Sequence, residues 1–423
     1  MKLETPVNNN YSATVVEIKT IVPLANCDNV VSVPIFGFSA IVGKEVKEGD
    51  IGIVFPAETQ LSDDFCRENN LYRHKEKNKD PNQAGYIEDN RRVRAVKFRG
   101  NVSSCLFMPL SSLNYALDKG DTLKVGDEFD QLNGMPICNK YEVVKRVGRG
   151  QNQQAKKESR VDAMYMPEHY STENFYKNAF ALDQSLDCIV TQKIHGTSIR
   201  IGNTIVKRKK SIADRIASWI GAKIKQTDYD YIYGSRKVIK DISNPDQLHY
   251  YATDIWTDEG QKLKGLIPKN FLVYAELIGW TKDGAELQKN YNYGIEKNTA
   301  ELYVYRVAVV NEDGFVADLS WDMVKEFCTQ RGIKYVPELF RCKLSHLTDN
   351  EFAETKKLMD VRYADTFEQA LHLGEKQDLV DEGICIRIEG LVPQIFKAKA
   401  PKFLEHETSL LDKGVEDLES SQN

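Results

Sequence analysis

The chain of 423 residues carries 57 lysines and arginines against 62 aspartates and glutamates, a formal net charge of −5, with 41% hydrophobic and 28% charged residues. That length predicts two or three domains, each able to bury its own core, and the composition excludes collagen-like, wholly disordered and small disulfide-stapled classes. No apolar run approaches the roughly 18 residues that cross a bilayer, and the opening MKLETPVNNN lacks the features of a secretion signal. The eight cysteines are scattered without a C-x-x-C pair. Reduced thiols in a cytoplasmic protein, with no membrane partner, are the expectation.

Over residues 1–135 the runs YSATVVEIKTIV, NCDNVVSVPIFG, FSAIVGKEVKEGDIGIVFP, RRVRAVKFRG and VSSCLFMPL read as short strands with turn punctuation, which predicts a small β-barrel or sandwich. Between them HKEKNKDPNQAGYIEDN is polar and rich in turn formers, the pattern of a mobile loop. Residues 136–170 change character: VKRVGRGQNQQAKKESR is rich in lysine, arginine and glutamine, and reads as a basic linker.

From 171 to 405 strand-like runs (CIVTQKI, SIRIGNTIVKR, NFLVYAELIG, ELYVYRVAVV, GICIRIE, QIFKAK) are interspersed with helical stretches (STENFYKNAFAL, SWDMVKEFCTQRG, TDNEFAETKKLM, ADTFEQALHLGEK). This is the pattern of an α+β domain built on antiparallel sheets. Residues 406–423 read as an acidic, disordered tail. Within the domain, KRKKSIADRIASWIGAKIKQ (207–226) sets Ile212, Ile216, Trp219, Ile220 and Ile224 at helical spacing between basic ends. A helix docked on its own domain is the first expectation; a membrane-surface helix or a nucleic-acid contact are the alternatives.

The sharpest local feature is Lys193-Ile194-His195-Gly196-Thr197-Ser198, a lysine ending a strand before a glycine and two hydroxyls, a loop that suits phosphate. Tyr274 and Glu276 lie two apart on a strand and share a face, as do Lys397 and Lys399. Ser235-Arg236 falls between the Lys193 loop and Tyr274, and Glu382 opens GICIRIE ahead of the paired lysines.

This ordered set resembles the sequential motifs of the covalent nucleotidyltransferases, which comprise ATP-dependent ligases and mRNA capping enzymes. K-I-H-G-T in place of K-x-D-G is similar to the nick-sealing RNA ligases. Only about two dozen residues follow Lys399, too few for the OB-fold domain that follows the paired lysines in DNA ligases and capping enzymes. A β-rich module instead precedes the lysine, as in the ATP-dependent RNA ligases with an N-terminal OB-like domain, a class that RVRAVKFRGNVSSCLFMPL and the N-K-Y-E at 139–142 also resemble. The implied fold is an OB-like β-barrel followed by a nucleotidyltransferase (ATP-grasp-like ligase) domain of antiparallel sheets with flanking helices.

The resemblance implies that Lys193 attacks the α-phosphorus of ATP. A free lysine, of pKa about 10.4, is only roughly 0.1% neutral near physiological pH; Mg²⁺ or Mn²⁺, with Lys397 and Lys399, is expected to favour the neutral amine and offset phosphate charge. His195 and Gly196 are implied at the nucleotide, Arg236 at its sugar or a substrate phosphate, Glu276 at the ribose, and Glu382 at the metal. Tyr305 falls where the family stacks an aromatic on adenine, although Tyr303 shares its expected strand face. Arg306 departs from the aspartate that related ligases carry there. Arg200 reads as an exposed strand arginine.

The implied reaction joins RNA 3′-OH and 5′-phosphate ends, in a nicked duplex by preference, through lysyl-AMP and RNA-adenylate, in a monomer. The alternatives are a DNA ligase, a capping-type nucleotidyltransferase, or a nucleic-acid-binding protein with an inactive transferase domain. The net charge of −5 does not oppose an RNA substrate. Basic residues concentrate at 91–99, 140–160 and 207–225, and only those meeting phosphates set the salt dependence of binding.

Overall fold

The computed structural model describes residues 3–142, 159–208, 211–221, 224–240, 251, 253–374 and 378–414. Near its N-terminus, alternating and continuous apolar runs form β1 (Ala13–Glu17), β2 (Val30–Ile35), β3 (Phe38–Gly43), β4 (Ile51–Pro56) and β5 (Cys105–Pro109). Glu128–Phe129, β1, β4 and β5 make one four-stranded sheet, and Val22–Pro23, β2 and β3 a three-stranded one. The two share a core that includes Val16, Val33, Val54 and Phe107.

Among the described residues the expected closed barrel is not found; these are open sheets. The physical reason lies at the edge of β3, where one backbone bond, Ser104 N to Ser39 O (2.7 Å), is continued by side chains and not by a ladder: the amides of Ser39 and Ile41 donate to the hydroxyls of Ser104 and Ser103 (3.1 and 3.2 Å). The loop expected to be mobile is pinned by buried Asn78, which bonds both the amide and the carbonyl of Tyr72 (2.9 and 2.8 Å).

The second part holds β6 (Asp187–Gln192), β7 (Thr197–Lys207), α1 (Ile212–Trp219), β8 (Thr227–Gly234), β9 (Phe271–Gly279), β10 (Ala300–Val310), α2 (Trp321–Thr329), β11 (Glu338–Lys343), β12 (Gly383–Ile388), β13 (Gln394–Lys399) and α3 (Pro401–Asp412). Its strands form two five-stranded sheets, β11-β6-β12-β13 with Glu173–Asn174, and β8-β7-β9-β10 with Val316–Asp318. Pairing is antiparallel throughout except where Glu173–Asn174 runs parallel to β13. The expected α+β class is thus found. Val190, Ile384, Ile386 and Phe396 pack one side of the first sheet. Ile199, Val273, Val307 and Trp256 fill the core of the second.

Three expectations are corrected. ADTFEQALHLGEK is not a helix; a single 3-10 turn covers Tyr363–Asp365. Side chains take backbone amides here instead: Tyr363 N, just before the segment, donates to Asp381 (2.7 Å), and Leu371 N to Gln192 of β6 (2.8 Å). The acidic stretch from 406 is helical as far as Asp412, and residues 415–423 lie outside the described ones. It is held by the N-terminal part: buried Arg92 pairs with Glu58 (2.6 Å) and Asp412 (3.1 Å) and donates to Thr408 O (3.1 Å). Finally, Ile212, Ile216, Trp219 and Ile220 do not dock on the domain; all four are exposed. Of the linker read over 136–170, residues 143–158 lie outside the described ones.

Candidate functional site

β6 ends in one sheet and β7 begins in the other, so Lys193–Gly196 is the crossing between them. The crossing is fixed from several sides. Lys193 N donates to Gly383 O (2.9 Å), His195 N to the Tyr293 hydroxyl (2.7 Å), and Gln288 Nε2 to Gly196 O (2.7 Å). A Cβ on Gly196 would stand 2.3 Å from Leu277 O and 2.8 Å from Glu276 Cγ, so glycine is required by close approach. Gly383, at φ +142°, leaves no room either: its Cβ would meet Ala398 O at 2.0 Å.

A pocket opens between the two sheets at this crossing. Five residues singled out in the sequence line it: Lys193, Arg236, Glu276, Tyr305 and Lys397. Glu276 is buried, and Ser198 Oγ donates to it at 3.4 Å. Tyr274, the expected face partner of Glu276, also lines the pocket, with its hydroxyl donating to Pro167 O (3.0 Å).

The choice between Tyr303 and Tyr305 is decided by a bulge. Tyr274 pairs with Arg306 and Ala275 with Val304, leaving Tyr305 as the extra residue of the strand, while Tyr303 stands opposite Glu276. Tyr305 lines the pocket and bonds His169, while the Tyr303 hydroxyl donates to Glu301 (2.7 Å).

Behind Lys193 lies a buried charge cluster. Glu382 Oε1 receives Lys193 Nζ at 2.8 Å and Lys399 Nζ at 3.0 Å, and Lys399 also reaches Glu407 Oε1 at 3.1 Å. Paired lysines on one face of β13 therefore divide their work. Lys397 lines the pocket, whereas Lys399 joins two carboxylates. His195 Nδ1 is 3.8 Å from Glu382 Oε2, with its ring edge-on to Tyr291 and Phe403.

The neighbouring Asp381 accepts from Gln192 (2.6 Å) and Tyr363 N (2.7 Å), and burial pushes its carboxyl up to about 6. Burial, reinforced by Glu382 and Asp381, also raises the Tyr291 hydroxyl, which stays a donor to Val380 O (2.9 Å).

Several residues of the pocket and of the charge cluster behind it carried no sequence signal. His169 and Tyr170 come from the stretch read as linker, and Glu407 from the stretch read as tail. Arg306 pairs with Asp318, its guanidinium lying 3.7 Å from the Tyr170 ring centroid and 4.2 Å from that of Tyr274. Burial opposes its charge, but Tyr274 and Asp318 raise its pKa on balance. The Nη1 atoms of Arg306 and Arg387, both pocket-lining, are buried without a hydrogen-bond partner among the described residues.

Arg200 is a correction. It is buried, with Nε donating to Ser235 O (2.9 Å) and Nη1 to Met166 O (2.8 Å), and so ties β7 to the turn that carries Arg236.

A family model for RNA ligase matches residues 186–399, half of the chain, and the match spans the crossing, the pocket strands and both lysines of β13. The chain belongs to the RNA ligase family. Among solved structures it is similar to Naegleria gruberi RNA ligase with pyrophosphate, at 17% identity over 95% of this chain and 100% of that one, with a TM-score of 0.60. A lysine variant of that ligase with ATP and manganese matches at 17% identity over 95% of this chain and 99% of that one, TM-score 0.57. Another, with AMP and manganese, matches at 16% identity over 93% and 98%, TM-score 0.58. At these identities the likeness concerns the fold. No curated protein sequence matches the chain significantly.

Proposed function

We propose that the protein is an ATP-dependent RNA ligase that seals 3′-OH and 5′-phosphate ends. The observation that carries this reading is Lys193, fixed by its backbone at the mouth of a pocket lined by Arg236, Glu276, Tyr305 and Lys397. Solved structures of a similar fold were obtained with ATP, AMP and manganese.

In the first step Lys193 Nζ attacks the α-phosphorus of ATP and pyrophosphate departs. AMP then passes to a 5′-phosphate, and a 3′-OH attacks the resulting pyrophosphate link, expelling AMP. Tyr305 supplies an aromatic wall for adenine, Glu276 an acceptor for the ribose, and Arg236 and Lys397 donors for phosphate oxygens. Before reaction, the hydrogen bond from Nζ to Glu382 Oε1 orients the lysine and holds its proton.

Ligand atoms of His195, Glu382 and Glu407 lie within 4.8 Å of one another, two carboxylates and an imidazole that fit Mg²⁺ or Mn²⁺. A divalent cation held there would favour the neutral amine and offset phosphate charge.

The division into an OB-like unit over 1–135, a basic linker over 136–170 and a nucleotidyltransferase unit over 171–405 belongs to the same proposal. So do the grip of the β-rich unit on a nicked RNA duplex and a cytoplasmic location.

Labelled ATP with Mg²⁺ or Mn²⁺ should give a covalent adduct that Lys193→Ala abolishes. An adduct from GTP and not ATP would instead identify a capping-type transferase, and no adduct at all a binding protein. Matched nicks differing only in the 3′-OH sugar test the substrate: preference for a DNA 3′ end overturns the RNA assignment.

A further inference from the structure

The β7–β8 hairpin carries at its tip a helix whose apolar side is exposed. In α1, Ile212 is 77% exposed, Ile216 59% and Trp219 88%, and Ile220, just beyond it, is 71% exposed. Positions 212, 216, 219 and 220 fall on one face of a helix. The sequence encodes this helix locally, without help from packing. Ser211 Oγ accepts from Asp214 N (3.1 Å) while the Asp214 carboxylate accepts from Ser211 N (2.8 Å), a reciprocal cap, and Gly221 at φ +81° ends it.

Its charge is one-sided. Segment 207–226 holds seven lysines and arginines (Lys207, Arg208, Lys209, Lys210, Arg215, Lys223, Lys225) against Asp214 alone. Arg208 neutralises that carboxylate at 2.7 Å.

We propose that this hairpin tip docks on an anionic lipid bilayer, with Ile212, Ile216, Trp219 and Ile220 entering the headgroup boundary and the exposed Lys207 and Lys225 at its flanks meeting lipid phosphates. The chemistry selects this partner. Lysines alone would suit RNA, but three isoleucines have nothing to bury against in a phosphate backbone, whereas an apolar face with a tryptophan and basic flanks is what a charged interface takes up. No described helix is long and apolar enough to cross a membrane, and a helix lying on the surface needs no such length. The tip is at the far end of β7 from Lys193, on the order of 30 Å away along the strand, so docking leaves the pocket open. The proposal stands apart from the ligase reading.

The test is co-sedimentation of the full chain with vesicles of phosphatidylcholine alone or with about one-third phosphatidylglycerol. The expected result is at least about tenfold more protein in the anionic pellet, with tryptophan emission moved to shorter wavelength. Of the other three tryptophans, Trp256 and Trp321 are buried and Trp280 is half-buried with its indole N–H bonded to Ile295 O, which makes exposed Trp219 the main reporter. The pair Ile216→Ser with Trp219→Ser should return binding to the neutral-vesicle level while far-ultraviolet circular dichroism and the melting temperature stay unchanged. Equal binding to both vesicles, or unchanged emission, overturns the proposal. So does a concentration-dependent dimer that the same pair abolishes, which would assign the face to a second copy. A loss of RNA affinity in that pair without anionic-vesicle binding would assign it to RNA, with the same consequence.

Discussion

Strand β7 joins two regions built on opposite terms. At its start, Lys193–Gly196 is held by buried groups on every side, down to a glycine that admits no methyl. At its end, α1 is fixed by its own caps and by the Arg208–Asp214 pair, and carries large apolar side chains in water. The difference teaches that reacting groups need surroundings that over-determine them, whereas a docking element needs only local encoding and an uncovered face.

Substitutions at the two ends can break this contrast. The largest effect is expected from Lys193→Ala, which removes the proposed nucleophile; adduct formation from labelled ATP should fall at least about 10³-fold. Glu382→Gln keeps the shape but leaves two ammonium groups facing each other without their shared carboxylate. Denaturant melts should register a loss of about 2–3 kcal/mol, with a slower adduct.

Gly196→Ala and Gly221→Ala set the two ends side by side. The first must displace the backbone at Leu277 and should cut adduct formation about 10²-fold. The second meets nothing within 4 Å and should cost only about 1 kcal/mol, the strain of a positive φ, with adduct formation intact. Equal losses at both positions would erase the distinction.

Two aspartates separate the regions by pH. Burial raises Asp381 to about 6, above an unfolded value of about 3.9, so folding favours its protonated form. Stability from this group is fullest below about pH 4 and is lost as pH rises through 6, a decline of about 3 kcal/mol that Asp381→Asn should flatten in melts across that range. Asp214 is shifted the other way, downward, by hydrogen bonds from Ser211 and the charge of Arg208. Its contribution is present above pH 4 and is lost only in stronger acid, so Asp214→Asn should leave the decline through pH 6 unchanged.

The strands around the site were legible because their apolar runs and alternation survive in the structure: β6, β7, β9, β10, β12 and β13 all fall on the runs read from the sequence. With them came the pocket positions of Lys193, Arg236, Glu276, Tyr305 and Lys397. What escaped depended on interactions that no local pattern encodes. The bulge at Tyr305 breaks the two-residue alternation, so strand spacing could not choose between it and Tyr303. Glu407 reaches the site only because Arg92, more than 300 residues earlier, gathers Thr408 and Asp412. The exposed stripe of α1 has the same periodicity as a docked one, so spacing could not tell covered from uncovered. The short helix over Asp63–Glu68 shows its cap, Ser62, but too few residues for a period.

Helix α3 carries neighbouring residues with different allegiances. Glu407 holds Lys399 of the charge cluster, and Thr408, the next residue, bonds Glu58 (2.7 Å) and Ala95 N (3.2 Å) in the N-terminal part. The two grips share one rigid rod, so a shift that frees Lys399 is felt at Arg92, and the reverse. Thermodynamic reciprocity then applies: whatever the N-terminal part binds by moving this helix changes the affinity for nucleotide by the same factor that nucleotide changes its own.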